Sequence, residues 1–233
     1  CTENYKKRLI QLGENSKNIH NFGSISLSDI KNMKLIDKKE ILKKFNLSHK
    51  NNNLIVTFHP EITFDKKTTY KKFKIICNSL SEFKNFNVIF TAPAQELNSE
   101  IIIKLIKDYC KKHQNAKFIK SIGRKTYLSC LKNFDLMLGN SSSGIIEAPY
   151  FNIPVINIGD RQLGRDFSLN IVNCEYNKRE IINKIHYTQS KKFKNNLKKN
   201  KAVYYKINTV DKIYKKISKL NFKQGLLKKF IDI

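Results

Sequence analysis

Apolar and polar positions along the chain fall into blocks that repeat in a regular order between residues 54 and 190. Short apolar runs alternate with longer stretches in which apolar residues recur every three or four positions. The first pattern is typical of buried strands and the second of amphipathic helices. The predicted strands are 54–58, 88–91, 117–119, 134–138, 154–158 and 171–173, and the predicted helices among them are 66–83, 100–112, 125–131 and 178–190.

Strands that alternate with helices predict a parallel sheet with helices on both faces, which is a Rossmann-like α/β fold. Ligands of such sheets bind beyond the carboxyl ends of the strands. Polar or glycine-containing stretches occupy those ends here. We therefore expect a phosphate- or nucleotide-binding site built from His59, residues 91–93, Ser121 with Ile122, residues 139–144 and residues 159–161.

The flanking segments are patterned less clearly. Asp37, with Glu40 three residues later, is typical of a helix N-cap. The predicted flanking elements are helices at 3–14, 27–33, 37–45 and 209–220, a short strand at 19–22, a polar linker at 46–53 and a basic tail at 222–233.

The most informative stretch is 139–147, GNSSSGIIE, which follows a predicted strand. It predicts a tight turn and a helix start, where free N–H groups capped by Asn and Ser can bind an anion. Gly144 would let a phosphate approach the backbone, and Glu147 lies one turn later on the face of Ser143. The alternative is an ordinary capped helix in which Glu147 only complements the helix dipole.

Two further residues at predicted strand ends could carry chemistry. His59 could act as a general acid or base or pair with a phosphate, or it could simply end its strand. Arg161 could bind a phosphate in a bidentate way, or form a salt bridge with Asp160 or Asp166. Glu147 could accept both hydroxyls of a ribose. The sequence shows no convincing pair of catalytic carboxylates.

Lysine and arginine number 45 against 19 acidic residues, for a net charge of +26. This balance first suggests nucleic acid or a membrane surface. The lysines are spread over nearly every predicted helix, and few arginines accompany them, although arginine is the better reader of bases. We therefore favour a solvated lysine coat and expect no nucleic-acid and no membrane partner.

The five cysteines are dispersed and form no C-x-x-C pair. They predict neither a disulfide framework nor a zinc site, and we expect no metal and no cofactor. Without a signal peptide or a long apolar run, the sequence predicts a cytoplasmic protein. Because a helical pattern begins directly after Cys1, we interpret the sequence as the later part of a longer protein.

Two long motifs resemble the hydrolysing UDP-N-acetylglucosamine 2-epimerases, and among them the sialic- and legionaminic-acid branch. They are GNSSSGIIEAP at 139–149 and PVINIGDRQLGR at 154–165. Residues 2–14, TENYKKRLIQLGE, and 21–23, NFG, are similar to the passage where that family's first domain hands over to its second. Residues 58–60, FHP, match as well. The resemblance spans nearly the whole chain up to about residue 190.

The resemblance implies the second domain of a glycosyltransferase-B-like, two-domain architecture with the active site between the domains. It implies a homo-oligomeric enzyme that eliminates UDP from UDP-N-acetylglucosamine or UDP-N,N'-diacetylbacillosamine, hydrates the glycal, and releases UDP and the 2-epimeric N-acetyl sugar. The residues that it assigns are the catalytic His59, the diphosphate ligands Ser141, Ser142 and Arg161 with the neighbouring Ser143 and Gly144, the ribose ligand Glu147, and Ser121 and Ile122 beside the uracil.

The chain departs from this family at two loops. Glu61 and Ile62 stand where relatives often carry valine and threonine, and residues 91–96, TAPAQE, replace a stretch that bears asparagine and aspartate. Most catalytic carboxylates of the family belong to a first domain of which only the end is present. We therefore expect this chain alone to bind UDP weakly and to turn over nothing.

The resulting division has three parts: 1–50, the end of the first domain and a linker; 51–205, the UDP-binding domain; and 206–233, a C-terminal helix and tail. Two alternative functions remain open at the level of sequence. One is the donor-nucleotide domain of a UDP-sugar glycosyltransferase. Such a domain shares the serine-rich turn, which here is residues 141–143, and the ribose-binding glutamate. The other is a non-catalytic basic module for nucleic acid.

Overall fold

The computed structural model describes residues 1–220. Within them, residues 33–201 form one compact unit, and residues 1–32 together with 202–220 form another. The predicted domain boundaries after residues 50 and 205 stay predictions. The predicted basic tail at 222–233 lies outside the described residues.

The larger unit is built on a parallel sheet whose six strands were all predicted from sequence. Their bounds are β1 Asn52–Thr57, β2 Phe86–Thr91, β3 Ala116–Ile119, β4 Leu136–Gly139, β5 Val155–Ile158 and β6 Ile171–Cys174. They pair in the order β3-β2-β1-β4-β5-β6. The chain moves outward from β1 to β3 and then returns to β4 beside β1, so the β1–β4 pair is the point where strand order reverses. Ligands of open α/β sheets bind at such a point.

Helices cover both faces of the sheet. On one face α3 (Lys66–Leu80), α4 (Ser99–Lys112) and α7 (Lys178–Gln189) share a buried apolar cluster with Leu54 and Val56 of β1. Ile55 and Met137 are equally buried but point the other way, since successive strand residues alternate faces. There α5 (Arg124–Asn133) contacts Met137 through the Tyr127 hydroxyl, 3.9 Å from its sulfur, and α2 (Lys38–Lys44) packs on α5.

Side-chain oxygens accept N–H groups of the first turn in several helices, and the predicted N-cap at Asp37 is among them. Asp37 precedes α2 and accepts the Glu40 N–H at 2.9 Å, as predicted. Ser141 caps the short helix α6 (Ser142–Ile146), after which a 3₁₀ turn runs over Ala148–Phe151. A helix that the sequence pattern did not predict, α8 (Lys191–Leu197), follows α7 directly and is capped by Ser190.

The smaller unit contains α1 (Glu3–Gln11) and α9 (Thr209–Ile217). The predicted strand at 19–22 is wrong, because residues 19–22 join no ladder of the described chain. The Asn21 and Phe22 carbonyls instead accept the side chains of Lys206 and Thr209, at 3.2 and 2.6 Å. The predicted helix at 27–33 is also wrong, because two 3₁₀ turns, Ile25–Leu27 and Ile30–Asn32, take its place. Among residues 1–220, none of the helices has the length and apolar character needed to cross a bilayer.

Candidate functional site

The carboxyl ends of the central strands β1 and β4 are joined by the side chain of Asn140. Its Oδ1 accepts the His59 N–H at 2.7 Å, and its Nδ2 donates to the His59 carbonyl at 2.8 Å. Asn140 is completely buried, so water does not compete for these bonds. The amide therefore pairs with the backbone of His59 as a neighbouring strand would, and it fixes the histidine beside the serine-rich turn.

The imidazole of His59 is held in one tautomer. Its Nδ1 accepts the Ala94 N–H at 2.9 Å, so the proton of the neutral ring resides on Nε2. Burial lowers the pKa of His59, the positive charge of Arg161 lowers it further, and Glu96 opposes this effect. At neutral pH the residue is therefore uncharged. It presents one N–H donor, which makes no hydrogen bond within residues 1–220.

Arg161, in the loop after β5, reaches the same place from the other side. Its Nη1 donates to the Asn140 carbonyl at 3.3 Å, and its Nη2 lies 3.2 Å from Glu96 Oε1. The sequence suggested Asp160 or Asp166 as an ionic partner, whereas the structure places Glu96 there. Gln162 donates to the same Asn140 carbonyl at 2.7 Å. Two side chains, those of Arg161 and Gln162, and the backbone of His59 thus converge on residue 140, directly before the serine-rich turn.

The serine-rich turn presents hydroxyl groups in two different states. Ser141 Oγ accepts the Ser143 N–H at 3.3 Å and the Ser143 hydroxyl at 3.0 Å, and Ser143 Oγ lies 2.5 Å from the Tyr127 hydroxyl. Ser142 is only partly buried, and neither its N–H nor its hydroxyl bonds to any residue in the described chain. Ser142 is therefore the open member of the turn, and Ser143 is the braced one.

Gly144 has a packing role that the sequence did not reveal. A Cβ at this position would lie 3.1 Å from Val155 Cγ1 and 3.3 Å from Met137 Cε, so the glycine lets α6 rest closely on β4 and β5. Its N–H is already donated to the Ser141 carbonyl at 3.1 Å. Its predicted part in phosphate approach stays a prediction.

Glu147 lies near the loop that enters α5. Its Oε1 is 3.3 Å from Arg124 Nη1, and its side chain is 17% exposed. Arg124 is the first residue of α5, and the preceding loop carries the exposed Ser121 and the half-buried Ile122. The ribose residue that the resemblance assigns, Glu147, therefore contacts α5 at the end that the Ser121–Ile122 loop enters.

The structure thus connects the predicted residues through partners that sequence reasoning did not select. His59 and Arg161 both bond to Asn140, and Glu96 pairs with Arg161. Asn140 and Glu96 belong to stretches that the sequence had marked, but nothing in the hydrophobic pattern reports which side chain will pair with which. Tyr127 carried no signal, because a tyrosine in a helix looks like an ordinary core residue.

The family described as UDP-N-acetylglucosamine 2-epimerase matches residues 1–218. The chain belongs to this family. The match covers nearly the whole sequence, including both long motifs, and it agrees with the resemblance read from the residues.

Similar curated proteins include a protein named as a 2-epimerase and one named for polysialic acid biosynthesis. The GDP/UDP-N,N'-diacetylbacillosamine 2-epimerase (hydrolyzing) of Campylobacter jejuni is 39% identical over 233 residues, 99% of this chain and 60% of that protein. The polysialic acid biosynthesis protein P7 of Escherichia coli is 33% identical over 210 residues, 90% of this chain and 53% of that protein. This chain therefore spans 60% or less of the length of these two relatives.

Solved structures share the fold. The S. aureus MnaA–UDP co-structure superposes with a TM-score of 0.72 at 15% identity, over 99% of this chain and 61% of that one. The Methanocaldococcus jannaschii UDP-GlcNAc 2-epimerase, in complex with UDP-GlcNAc and UDP, gives 0.70 at 19% identity, over 93% and 59%. The predicted Rossmann-like α/β fold of a glycosyltransferase-B-like architecture is confirmed.

In this family member, the departure at Glu61 has a structural partner. The Tyr176 hydroxyl donates to Glu61 Oε1, and burial and the Glu61 charge raise the pKa of Tyr176. The pair joins the loop after β1 to the loop after β6, and so helps to hold the segment that carries His59. Within residues 1–220, no three His, Cys, Asp or Glu side chains are grouped as a metal site would need.

Proposed function

We propose that this chain is the UDP-binding portion of a hydrolysing UDP-sugar 2-epimerase that acts on UDP-N-acetylglucosamine or UDP-N,N'-diacetylbacillosamine. The observation that carries the proposal is the convergence on Asn140. A neutral histidine donor, an arginine and a serine-rich turn are held together at the reversal point of the sheet. Family membership supplies the reaction class.

The proposed reaction places negative charge on the departing diphosphate. The C2–H bond and the bond from C1 to the diphosphate oxygen break, and a C1–C2 double bond forms. Water then adds its hydroxyl to C1 and a proton returns to C2 on the opposite face, which gives the 2-epimeric sugar and UDP. Donors aimed at the developing charge stabilise such a transition state. Here these donors are Arg161, His59 Nε2–H, and the Ser141 and Ser142 hydroxyls.

We assign the nucleoside to the other side of the turn. Glu147 would accept the ribose hydroxyls, and a carboxylate has enough lone pairs to do so while it remains paired with Arg124. Ser121 and Ile122 would contact the uracil. Ser143 and Gly144 would shape the turn beneath the diphosphate.

We propose that the described residues do not supply the base for the C2 proton. Three carboxylates near the site are engaged: Glu61 with Tyr176, Glu96 with Arg161 and Glu147 with Arg124. Asp160, beside Arg161, is exposed. His59 Nδ1 is occupied by the Ala94 N–H. We therefore propose that residues 1–233 bind UDP without releasing sugar, and that the whole protein is a cytoplasmic homo-oligomer, as the family resemblance implies.

Calorimetric titration of UDP into this chain tests the proposal. We expect saturable binding that weakens at least about tenfold in Arg161→Ala and in Ser142→Ala, because each removes a donor from a charged ligand. Arg179→Ala is the matched control, since Arg179 is exposed on α7 and should leave the affinity unchanged.

Two results would contradict the proposal. The first is an absence of UDP binding by the unaltered chain. The second is release of free N-acetyl sugar by purified residues 1–233 in a steady-state assay, which would show that the chain contains its own base.

A further inference from the structure

A row of five hydroxyl groups runs from the interior of the sheet to the serine-rich turn. The hydroxyl oxygen of Thr91 in β2 lies 3.0 Å from that of Thr57 in β1, which lies 3.5 Å from the hydroxyl oxygen of Tyr127 in α5. The Tyr127 oxygen lies 2.5 Å from Ser143 Oγ, which lies 3.0 Å from Ser141 Oγ. The row therefore links β2, β1, α5 and α6 to Ser141, one residue of the proposed diphosphate site.

Counting donors fixes the direction of this row. A hydroxyl has one hydrogen to donate. Ser143 donates its hydrogen to Ser141, so in its contact with Tyr127 it must accept. Tyr127 has then used its hydrogen and must accept from Thr57. The single hydrogen of Thr91 is shared between the Thr57 hydroxyl at 3.0 Å and the Val56 carbonyl at 3.3 Å. From Thr57 onward, each hydrogen in the row points toward the serine-rich turn.

Ser141 stands at the end of the row in an unusual state. Its Oγ accepts two hydrogen bonds, from the N–H and the hydroxyl of Ser143. Its own hydrogen has no acceptor within residues 1–220, although the residue is only 8% exposed. A buried donor without an acceptor is costly, and a ligand oxygen at this point would remove that cost.

We propose that the hydroxyl row makes Ser141 an obligatory donor and so selects for an oxygen that can only accept, a deprotonated phosphate oxygen. This inference rests on the proposed function. Tyr127 is the positioning residue, because it does not touch the ligand and acts through Ser143. A row of hydroxyls that all donate in one direction also polarises its last member and strengthens the terminal donor.

The properties of Tyr127 suit this task. Burial raises the pKa of Tyr127 to about 12, against the opposite effect of its bonds to Ser143 and Thr57. Its hydroxyl therefore stays protonated at and around neutral pH. Phenylalanine at position 127 would remove only the hydroxyl and would leave Ser143 free to turn away from Ser141.

The test compares the binding of UDP with the binding of uridine, which lacks the phosphates. In Tyr127→Phe and in Ser143→Ala we expect the Kd for UDP to rise about tenfold, while the Kd for uridine stays unchanged. Tyr109→Phe is the matched control: Tyr109 is a buried tyrosine of α4 whose pKa is also raised to about 12, and its hydroxyl lies outside the row.

Every outcome bears on the proposal. A loss confined to UDP in both variants supports it, and Ser143→Ala alone decides if Tyr127→Phe does not fold. Unchanged UDP affinity overturns the hydroxyl row but leaves the proposed function in place. An equal loss for UDP and uridine also overturns it, because the damage is then general. If the unaltered chain does not bind UDP, the proposed function fails and the inference fails with it.

Discussion

His59 illustrates how one backbone hydrogen bond decides what a residue can do. Because the Ala94 N–H donates to Nδ1, the proton of the neutral ring lies on Nε2, and the ring enters the site as a donor. Ala94 and Glu96 belong to the same loop, and Glu96 holds Arg161. The loop at 91–96, which departs from the family pattern, therefore positions both the histidine and the arginine.

The titration of His59 provides a test at this scale. We expect its midpoint below 6.5, because burial and the charge of Arg161 lower the pKa. Arg161→Gln should raise the midpoint and Glu96→Gln should lower it further, since the two charges act in opposite directions. Nitrogen-detected NMR of the imidazole measures the midpoint and the tautomer.

The same shift gives a sign for stability against pH. The folded pKa lies below the unfolded one, so the unfolded chain binds the proton more readily. The contribution of His59 to the free energy of unfolding is complete above about pH 6.5 and is lost as the pH falls through the folded pKa. A midpoint at or above 6.5, or a ring protonated at Nδ1, would refute the assignment.

At the scale of elements, the contact between β1 and β4 depends on Gly139. Its φ is +143°, and a Cβ would lie 2.0 Å from the Thr57 carbonyl oxygen of β1. Backbone cannot yield as a flexible side chain can, so a substitution must separate the two strands. Those strands carry His59 and the serine-rich turn, and their register pairs Thr57 with Gly139.

We expect Gly139→Ala to lower the free energy of unfolding by roughly 4 kcal/mol, a value typical of severe core damage. Gly164→Ala is the control: its φ is +80° but a Cβ there meets nothing within 4 Å, so it should cost only about 1–2 kcal/mol of backbone strain. Urea unfolding followed by circular dichroism measures both. Equal losses would show that the close approach to Thr57 does not matter.

How far the sequence predicts the elements depends on burial. All six strands were predictable because parallel strands are covered on both faces and so appear as apolar runs. The segment at 19–22 carries the polar His20 and Asn21 between its apolar ends. Its Asn21 and Phe22 carbonyls accept bonds from the side chains of Lys206 and Thr209, a tertiary arrangement that the local pattern does not indicate. For the same reason the positions of His59 and Ser141 just after strands were predictable, whereas the pairing of Asn140, Glu96 and Tyr127 was not. The roles of His59 and Ser141 stay predictions.

At the scale of the whole molecule, the net charge of +26 attracts every anion, whether or not it fits the site. A nucleic-acid module would depend on that charge, whereas a UDP site should depend on a few fixed donors. Salt separates the two, because exposed charges more than a Debye length from a ligand, about 8 Å at 0.15 M salt, are largely screened.

We therefore expect the triple variant Lys67→Gln, Lys74→Gln and Lys111→Gln to change the Kd for UDP by less than about twofold at 0.15 M salt. These lysines are exposed on α3 and α4. Arg161→Ala removes a single charge and should weaken binding at least about tenfold, because that guanidinium is partly buried and held by Glu96 and Asn140. Two results together would contradict this expectation: a loss of affinity in the triple variant as large as in Arg161→Ala, and binding of random DNA with a steep salt dependence. The lysine coat would then be the binding surface, which supports the nucleic-acid hypothesis and not the UDP site.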